Sequence, residues 1–543
     1  MSVVQTAEVL EIPKTGLAGL KENWKADLGA GFSISLIALP LCLGIAVASH
    51  FPPIAGLITA IIGGLLVSRI RGSHVTINGP AAGLIVVNLA AVERLGQGDT
   101  MAGFHYALAA IAIAGVLIMF LGFMGAGKYS YFFPSSVIHG MLASIGVIIA
   151  SKQIHVLVGV KPESTGIIPG ILEIPASFLS MHPDIALIGL GSLLIMVLHP
   201  LIKVPAISAL PGPMWVVLFA IPMAKMFNLE DQYLIHLPDH PLDGLTVPNF
   251  SKILTMAFWI SVGSIALVTA IESLLSTTAI DKLDPYKRKS DLNKDLRGVG
   301  IGSTLAGLIG GLPLIAEIVR SKANILNGAR TSWANFFHGG FLLIYLVVLA
   351  PVIQMIPYSS LAGILVFIGY KLAAPEVFRH IYQIGKDQIL VFVTTLVTVL
   401  AVDLLVGVFA GIVLKLIMNV VFFGVPLKSL FTASVQVDHP ADDHVELQIR
   451  HAAIFANFLS LKKHLHSLPR GQHVTLNFSE ARVVDHSMLS HLQDYAVDYQ
   501  KEGGTFVLTG LDTHTALSAS PLATRYLSKS KTTHMLRSTE IKP

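Results

Sequence analysis

With a single cysteine in 543 residues, Cys42, the chain can form no intramolecular disulfide and no cysteine-based metal cluster. Charge is scarce too: Asp, Glu, Lys and Arg together make up 13% of the residues, about half the share of a soluble domain. Gly29 to Ser68 and Thr331 to Tyr370 contain none of the four, and each stretch is long enough for two spans of roughly 20 residues. No G-x-x-x-x-G-K-[ST] loop is present for nucleotide-driven pumping, and none of the 21 histidines stands at a zincin spacing. Residues 1–26 lack the basic start and small-residue cleavage site of a secretory signal and read as a mixed-charge cytoplasmic segment. The net charge of +4 points to no nucleic-acid partner.

What is abundant is apolar surface, at 53% of residues, which places the chain with polytopic proteins solvated by a lipid bilayer. Hydropathy predicts fourteen spans, near 29–49, 54–70, 79–93, 103–124, 134–152, 184–202, 210–225, 254–280, 296–311, 315–326, 333–352, 359–373, 387–402 and 404–424. Arg69 and Arg71 follow the second span, and "DKLDPYKRKSDLNKDLR" follows the eighth with six basic and four acidic residues. "MFNLEDQYLIHLPDHPLDGLTVPNFS", after the seventh, has four acidic residues and no Lys or Arg, so the positive-inside rule puts both termini in the cytoplasm. The transmembrane region is thus 27–425. From 430 to 527 the strand-like runs "HVELQIRH", "HVTLNFSE" and "GTFVLTGL" alternate with amphipathic helices and predict a small cytoplasmic α/β domain; residues 528–543 read as a disordered basic tail.

The third and tenth spans are too short to cross as uniform helices. In "GSHVTINGPAAG" a β-branched run meets Asn78, Gly79 and Pro80, which predicts a half-helix beginning near Pro80 at mid-membrane. Its leading N–H groups around Ala81 and Ala82 have no intrahelical partner and carry about half a positive charge, which favours an anion; an ordinary proline kink is the alternative. "GGLPLIAEIVRSKANILNGART" offers a counterpart in the second half. Two broken segments in corresponding places are the pattern of an inverted-repeat transporter with its site between the breaks. Glu272, in "ALVTAIESLLSTTAID", is costly in lipid unless it faces a polar cavity or takes a proton or cation; Ser276 lies one turn on, on the same face. Arg320 can add positive charge to the anion site or pair with Glu317, three residues before it; snorkelling at the helix end is its bland alternative. Cys42 alone reads as packing.

These stretches, with "ALPLCLGIAVASHFPPIAGLITAIIGGLL", "IESLLST" and "SLAGILVFIGYKL", resemble the SulP family of inorganic anion transporters, relatives of the animal sulfate, chloride and bicarbonate exchangers. The resemblance implies seven plus seven inverted segments, with segments 1–4 and 8–11 as a core and 5–7 and 12–14 as a gate, and a tail similar to a STAS domain. It implies that Leu41, Cys42, Gly79, Pro80, Ala81, Ala82, Glu317, Val319 and Arg320 surround the substrate. It aligns Glu272 and Ser276 with an Asp and a Thr that hold sodium in the family's cyanobacterial bicarbonate transporters. Where many members carry polar residues, Leu41, Leu314 and Ile315 are apolar here, leaving backbone dipoles and Arg320 as anion ligands. "VVDHSMLSHL" resembles the STAS strand-to-helix turn and puts Ser487 where related anti-sigma antagonists are phosphorylated, with a helix cap as the competing reading.

The expected function is therefore secondary active transport of a small inorganic anion by alternating access, bicarbonate with sodium first, then sulfate or a dicarboxylate with protons or by exchange. The expected protein is no enzyme, carries no cofactor beyond a sodium ion or proton, and forms a homodimer whose STAS-like domain can receive a cytoplasmic regulator. A proton-coupled nucleobase carrier, with carboxylates at Glu272 and Glu317, and an anion-responsive sensor signalling through the tail are the two other readings.

Overall fold

The computed structural model describes residues 11–162, 166–208, 210–238, 240–441, 443–468, 471–501 and 503–527, so the predicted basic tail at 528–543 lies outside the described residues. Two compact units emerge, Met1–Gly127 with Ile145–Lys371, and Lys128–Ser144 with Leu372–Pro543. Among the described residues eight helices are long and apolar enough to cross a membrane.

In the first unit, α1 (Gly16–Ala48) is followed by α2 (Pro53–Ile70), which contains a π turn at Gly63–Val67. Strand β1 (Ile77–Gly79) then breaks the third span before a 3₁₀ turn at Ala82–Leu84 leads into α3 (Ile85–Gly96). Next come α4 (Thr100–Phe123), α5 (Ser135–Leu157), α6 (Ile167–Leu179), α7 (Pro183–Leu198) and α8 (Gly212–Met226). The second half repeats the order: α9 (Met256–Leu283), α10 (Leu292–Ile309), strand β2 (Ile315–Glu317), α11 (Ile318–Leu326), α12 (Trp333–Val348) and α13 (Tyr358–Leu372). The polytopic fold expected from hydropathy is present. Asp99, Thr255 and Asp291 cap α4, α9 and α10 by accepting first-turn N–H bonds.

Several boundaries move. Helix α1 starts at Gly16, and Asp27 within it is fully buried, accepting bonds from Arg330 N and Thr331 Oγ1; residues 16–26 are therefore a helical extension of span one. Helix α6 was not expected, because Pro169, Glu173 and Pro175 interrupt its apolar run. Ala81 is extended, and the third half-helix begins with the 3₁₀ turn at Ala82, two residues after Pro80. Helices α4 and α10 meet through small residues: a Cβ on Gly300 would lie 2.3 Å from Met119 N, and one on Gly307 2.6 Å from Ala112 N. Such backbone approach is how membrane helices gain packing contact without a hydrophobic driving force.

The second unit holds the start of α5, then α14 (Pro375–Ile384), α15 (Lys386–Ala401), α16 (Leu404–Val421) and the α/β domain. That domain is built from β3 (Ser434–Ala441), β4 (His444–Ala453), α17 (Phe458–His466), β5 (His473–Val484), α18 (His486–Lys501), β6 (Thr505–Thr509), β7 (Thr515–Ala516) and β8 (Arg525–Tyr526). Strands β4, β5 and β6 are parallel; β3 is an antiparallel edge, and β8 joins the far end of β5. Leu447 and Ile449 of β4 and Leu476 and Phe478 of β5 alternate inward and meet Leu461 of α17 and Leu492 of α18 in its core.

Buried contacts in this unit tie the α/β domain to α5, α15 and α16. Lys415 of α16 and Asp387 of α15 form a buried ion pair at 2.8 Å, and Thr524 donates to the same Asp387 Oδ2 at 2.8 Å. Ser487 Oγ, only 3% exposed, accepts from Ser135 N at the start of α5, so its hydroxyl is a docking contact rather than an open phosphorylation site. The cap of α18 is Asp485, which accepts from Met488 N and Phe455 N; burial pushes its carboxyl above the ordinary range while these donors and Lys415 pull the other way. Breaking a buried pair from one side leaves an uncompensated charge and costs about 3 kcal/mol. Lys415→Met should therefore lower the thermal unfolding midpoint of the purified protein markedly, and Asp387→Leu with Lys415→Met should recover most of it.

Candidate functional site

The two breaks pair with each other. Strands β1 and β2 run antiparallel in the register Ile77↔Glu317, Asn78↔Ala316, Gly79↔Ile315, centred on Asn78, so the half-helices α3 and α11 leave the ribbon from opposite ends. The ribbon is held on all sides by buried polar bonds. Ile77 N donates to Ser321 Oγ at 2.8 Å, Ala316 N to Ser273 Oγ at 3.2 Å, Leu312 N to Thr59 Oγ1 at 2.7 Å, and Asn324 Nδ2 to Val75 O at 2.9 Å. A strand segment inside a membrane has no water to satisfy its backbone, and these side chains take that place.

Arg320, 1% exposed, is the centre of the site. Its Nη1 donates to Cys42 Sγ at 3.4 Å, its Nη2 donates to Pro80 O, and its Nε lies 3.5 Å from Glu317 Oε2. One guanidinium thus joins α1, the Gly79–Pro80 turn and α11, which removes the snorkelling alternative. Gly79 leaves room for this approach, since a Cβ there would sit 2.9 Å from Arg320 Nη1 and the guanidinium would have to shift. Glu317 is the N-cap of α11, its Oε2 accepting from Arg320 N at 2.6 Å. Its carboxylate therefore occupies the α11 N-terminus and orients Arg320, so the two half-helix N-termini are not equivalent: that of α3 carries no such cap.

The α3 N-terminus meets Glu272 instead. Gly83, in its first turn, lies so close to this carboxylate that a Cβ would fall 1.9 Å from Glu272 Oε1. Glu272 is 6% exposed, and its Oε1 makes no hydrogen bond. An ionised carboxylate in this place competes with any anion drawn to the same N–H groups. Ser276 is half-buried one turn along α9. Pro80, Ala81, Leu41 and Cys42 are buried and Ala82 is half-buried, whereas Val319 is 63% exposed.

The sequence reading missed the layer behind the ribbon. Arg71, counted there as a loop charge, is 5% exposed and donates to Asn78 Oδ1 and to Asp295 Oδ1; Asp295 also accepts from Ser273 Oγ and Thr277 Oγ1 at 3.2 and 3.1 Å. Asp295 too was counted in a loop. The available signal was the position of Arg71 only six residues before a mid-membrane break, where a charge is expected to be paired. Gly83 was legible only as part of the broken span.

The Sulfate permease family model matches residues 24–395, more than half of the chain and all of the ribbon and both half-helices. The chain belongs to the sulfate permease family. Its relatives include a putative sulfate transporter of Bacillus subtilis, YvdB, 25% identical over 512 residues that cover 90% of this chain and 92% of the relative. The bicarbonate transporter BicA of Picosynechococcus is 25% identical over 432 residues, 78% of this chain and 74% of the relative. The fold matches the murine anion transporter Slc26a9 with a TM-score of 0.65 at 17% identity, over 89% of this chain and 85% of that one. As a sulfate permease family member the protein is a multi-pass membrane transporter of anions and no enzyme, with a C-terminal STAS-like α/β domain.

Gly83→Ala should be far more damaging than an ordinary Gly→Ala change, because the methyl must displace the Glu272 carboxylate from the α3 N-terminus. Anion uptake by the reconstituted variant is expected to fall at least tenfold while thermal stability drops by about 1–3 kcal/mol. Shortening the facing side chain, with Gly83→Ala and Glu272→Asp together, should restore part of the stability.

Proposed function

We propose that the protein moves a small inorganic anion, bicarbonate first and sulfate second, together with a cation, sodium or a proton, that sits at Glu272. The observation that carries this reading is the unbonded Glu272 Oε1 against Gly83 in the first turn of α3. Arg320 and Glu317 offset each other, so an ionised Glu272 leaves the site with one excess negative charge, and the α3 dipole supplies only about half a positive one. Neutralising Glu272 is then the condition for the anion to bind between the Ala81–Gly83 N–H groups and Arg320. A monovalent anion needs less compensation than a divalent one, which favours bicarbonate. The cyanobacterial relative named as a bicarbonate transporter supports the same choice, and the Bacillus relative named as a putative sulfate transporter keeps sulfate second.

Cotransport follows from linkage: a cation that raises anion affinity is bound more tightly once the anion is present. Alternating access would come from movement of the core, which carries the ribbon, Arg320 and Glu272, against the gate segments, with both termini in the cytoplasm and the STAS-like domain supporting a homodimer. Uptake of labelled bicarbonate, sulfate and fumarate into proteoliposomes, with sodium and pH gradients imposed separately, tests the proposal. Accumulation of bicarbonate driven by one of the two gradients is the expected result; uptake indifferent to both would replace cotransport by exchange or a channel.

A further inference from the structure

Behind the transport site, on the side of the first unit that carries its basic connections, lies a cavity of about 300 Å³. Lys14, Arg69, Arg71, His74, Arg288 and Lys294 line it together with serine and threonine hydroxyls, and no carboxylate lines it. Three of the cations are already paired: Arg71 with Asp295, Arg288 with Asp284 at 2.7 Å, and Lys14 with Glu22 at 2.5 Å. Among the described residues, no ion pair holds Arg69 or Lys294. Arg69 is fixed by hydrogen bonds to Ser332 Oγ at 2.9 Å and Ser68 Oγ at 3.2 Å, with its guanidinium 3.8 Å above the Trp333 ring.

From this arrangement we infer a binding site for a phosphate group, separate from the transport site. A lining of cations and hydroxyl donors without a carboxylate suits a ligand that offers only acceptor oxygens and more than one negative charge. The preformed Arg69, locked on Trp333 and two serines, presents its remaining N–H edge without loss of rotamer freedom. The site also touches the transport machinery: the Arg71 guanidinium that lines it donates to Asn78, next to Gly79 on β1. The phosphate can belong to a lipid headgroup, since Leu17 and Trp24 at the start of α1 are exposed, or to a soluble phosphate.

The two sources separate experimentally in the full-length protein. Isothermal titration with inorganic phosphate in phosphatidylcholine nanodiscs reads the soluble source, and native mass spectrometry after incorporation with phosphatidic acid reads the lipid. Wild type is expected to bind in at least one arm, and Arg69→Gln with Lys294→Gln should weaken that binding about 100-fold, as loss of two charge-assisted contacts implies. Arg69→Lys with Lys294→Arg, which keeps the charge, should bind at least tenfold more tightly than the Gln pair, separating lost binding from lost folding. Arg320→Ala should leave the phosphate site intact. Absence of binding in both arms, unchanged binding in the Gln pair, or binding lost in Arg320→Ala but kept in the Gln pair would each overturn the assignment.

Discussion

Arg320→Ala is expected to abolish concentrative anion uptake and to raise the apparent dissociation constant of the anion by about two orders of magnitude, the effect of removing one member of a buried charged contact. Three consequences add up. The substrate loses the arginine that bridges Cys42, Pro80 and Glu317. The turn that starts α3 loses the donor to Pro80 O, so the N–H groups of Ala81 to Gly83 are no longer held in place. Glu317 keeps its cap on α11 but loses its counter-charge, which makes the site more negative. Arg320→Lys should not rescue transport, because one ammonium cannot reach the sulfur, the carbonyl and the carboxylate that the planar guanidinium bridges. Uptake and equilibrium binding of a labelled anion measure the two effects; a variant with wild-type affinity would reduce Arg320 to a structural clasp.

Glu272→Gln should remove the dependence on the driving ion while leaving the fold intact. Glutamine keeps the shape against Gly83 and removes the charge, so the variant resembles the neutralised wild type at every sodium concentration and pH. Downhill anion flux should persist and concentrative uptake should be lost. The contrast with Arg320→Ala is diagnostic: one variant loses affinity, the other loses coupling. Retention of gradient-driven accumulation in Glu272→Gln would take this carboxylate out of the mechanism.

How far the sequence alone reached depends on the range of the interactions. Hydropathy located the main spans because burial in lipid is written in consecutive residues, and alternation located β4, β5 and β6 for the same reason. The pairing of "ING" with "IAE" joins segments more than two hundred residues apart, and no local pattern encodes it. Both breaks were visible as Gly and Pro within apolar runs, but the extended conformation of Ala81 and the capping role of Glu317 depend on what Arg320 reaches across the ribbon. Arg71 and Asp295 were hidden by a charge count that treats every basic residue near a span end as solvated. Lys415 and Asp387 stood in or beside apolar spans and carried the warning that applied to Glu272, yet their partner Thr524 belongs to the far end of the chain. Ser487 was placed by motif likeness, which says nothing of the Ser135 backbone that covers it.

In the proposed mechanism, neutralising Glu272 permits the anion to bind at the α3 N-terminus beside Arg320. Equilibrium binding of a labelled anion to the purified protein, titrated over sodium at fixed pH and over pH at fixed sodium, tests it most directly when wild type and Glu272→Gln are compared. The account predicts a wild-type dissociation constant that falls as sodium or proton concentration rises, and a Glu272→Gln constant that is flat and close to the neutralised wild-type value. A wild-type constant indifferent to both ions, or one that varies equally in the variant, would contradict it.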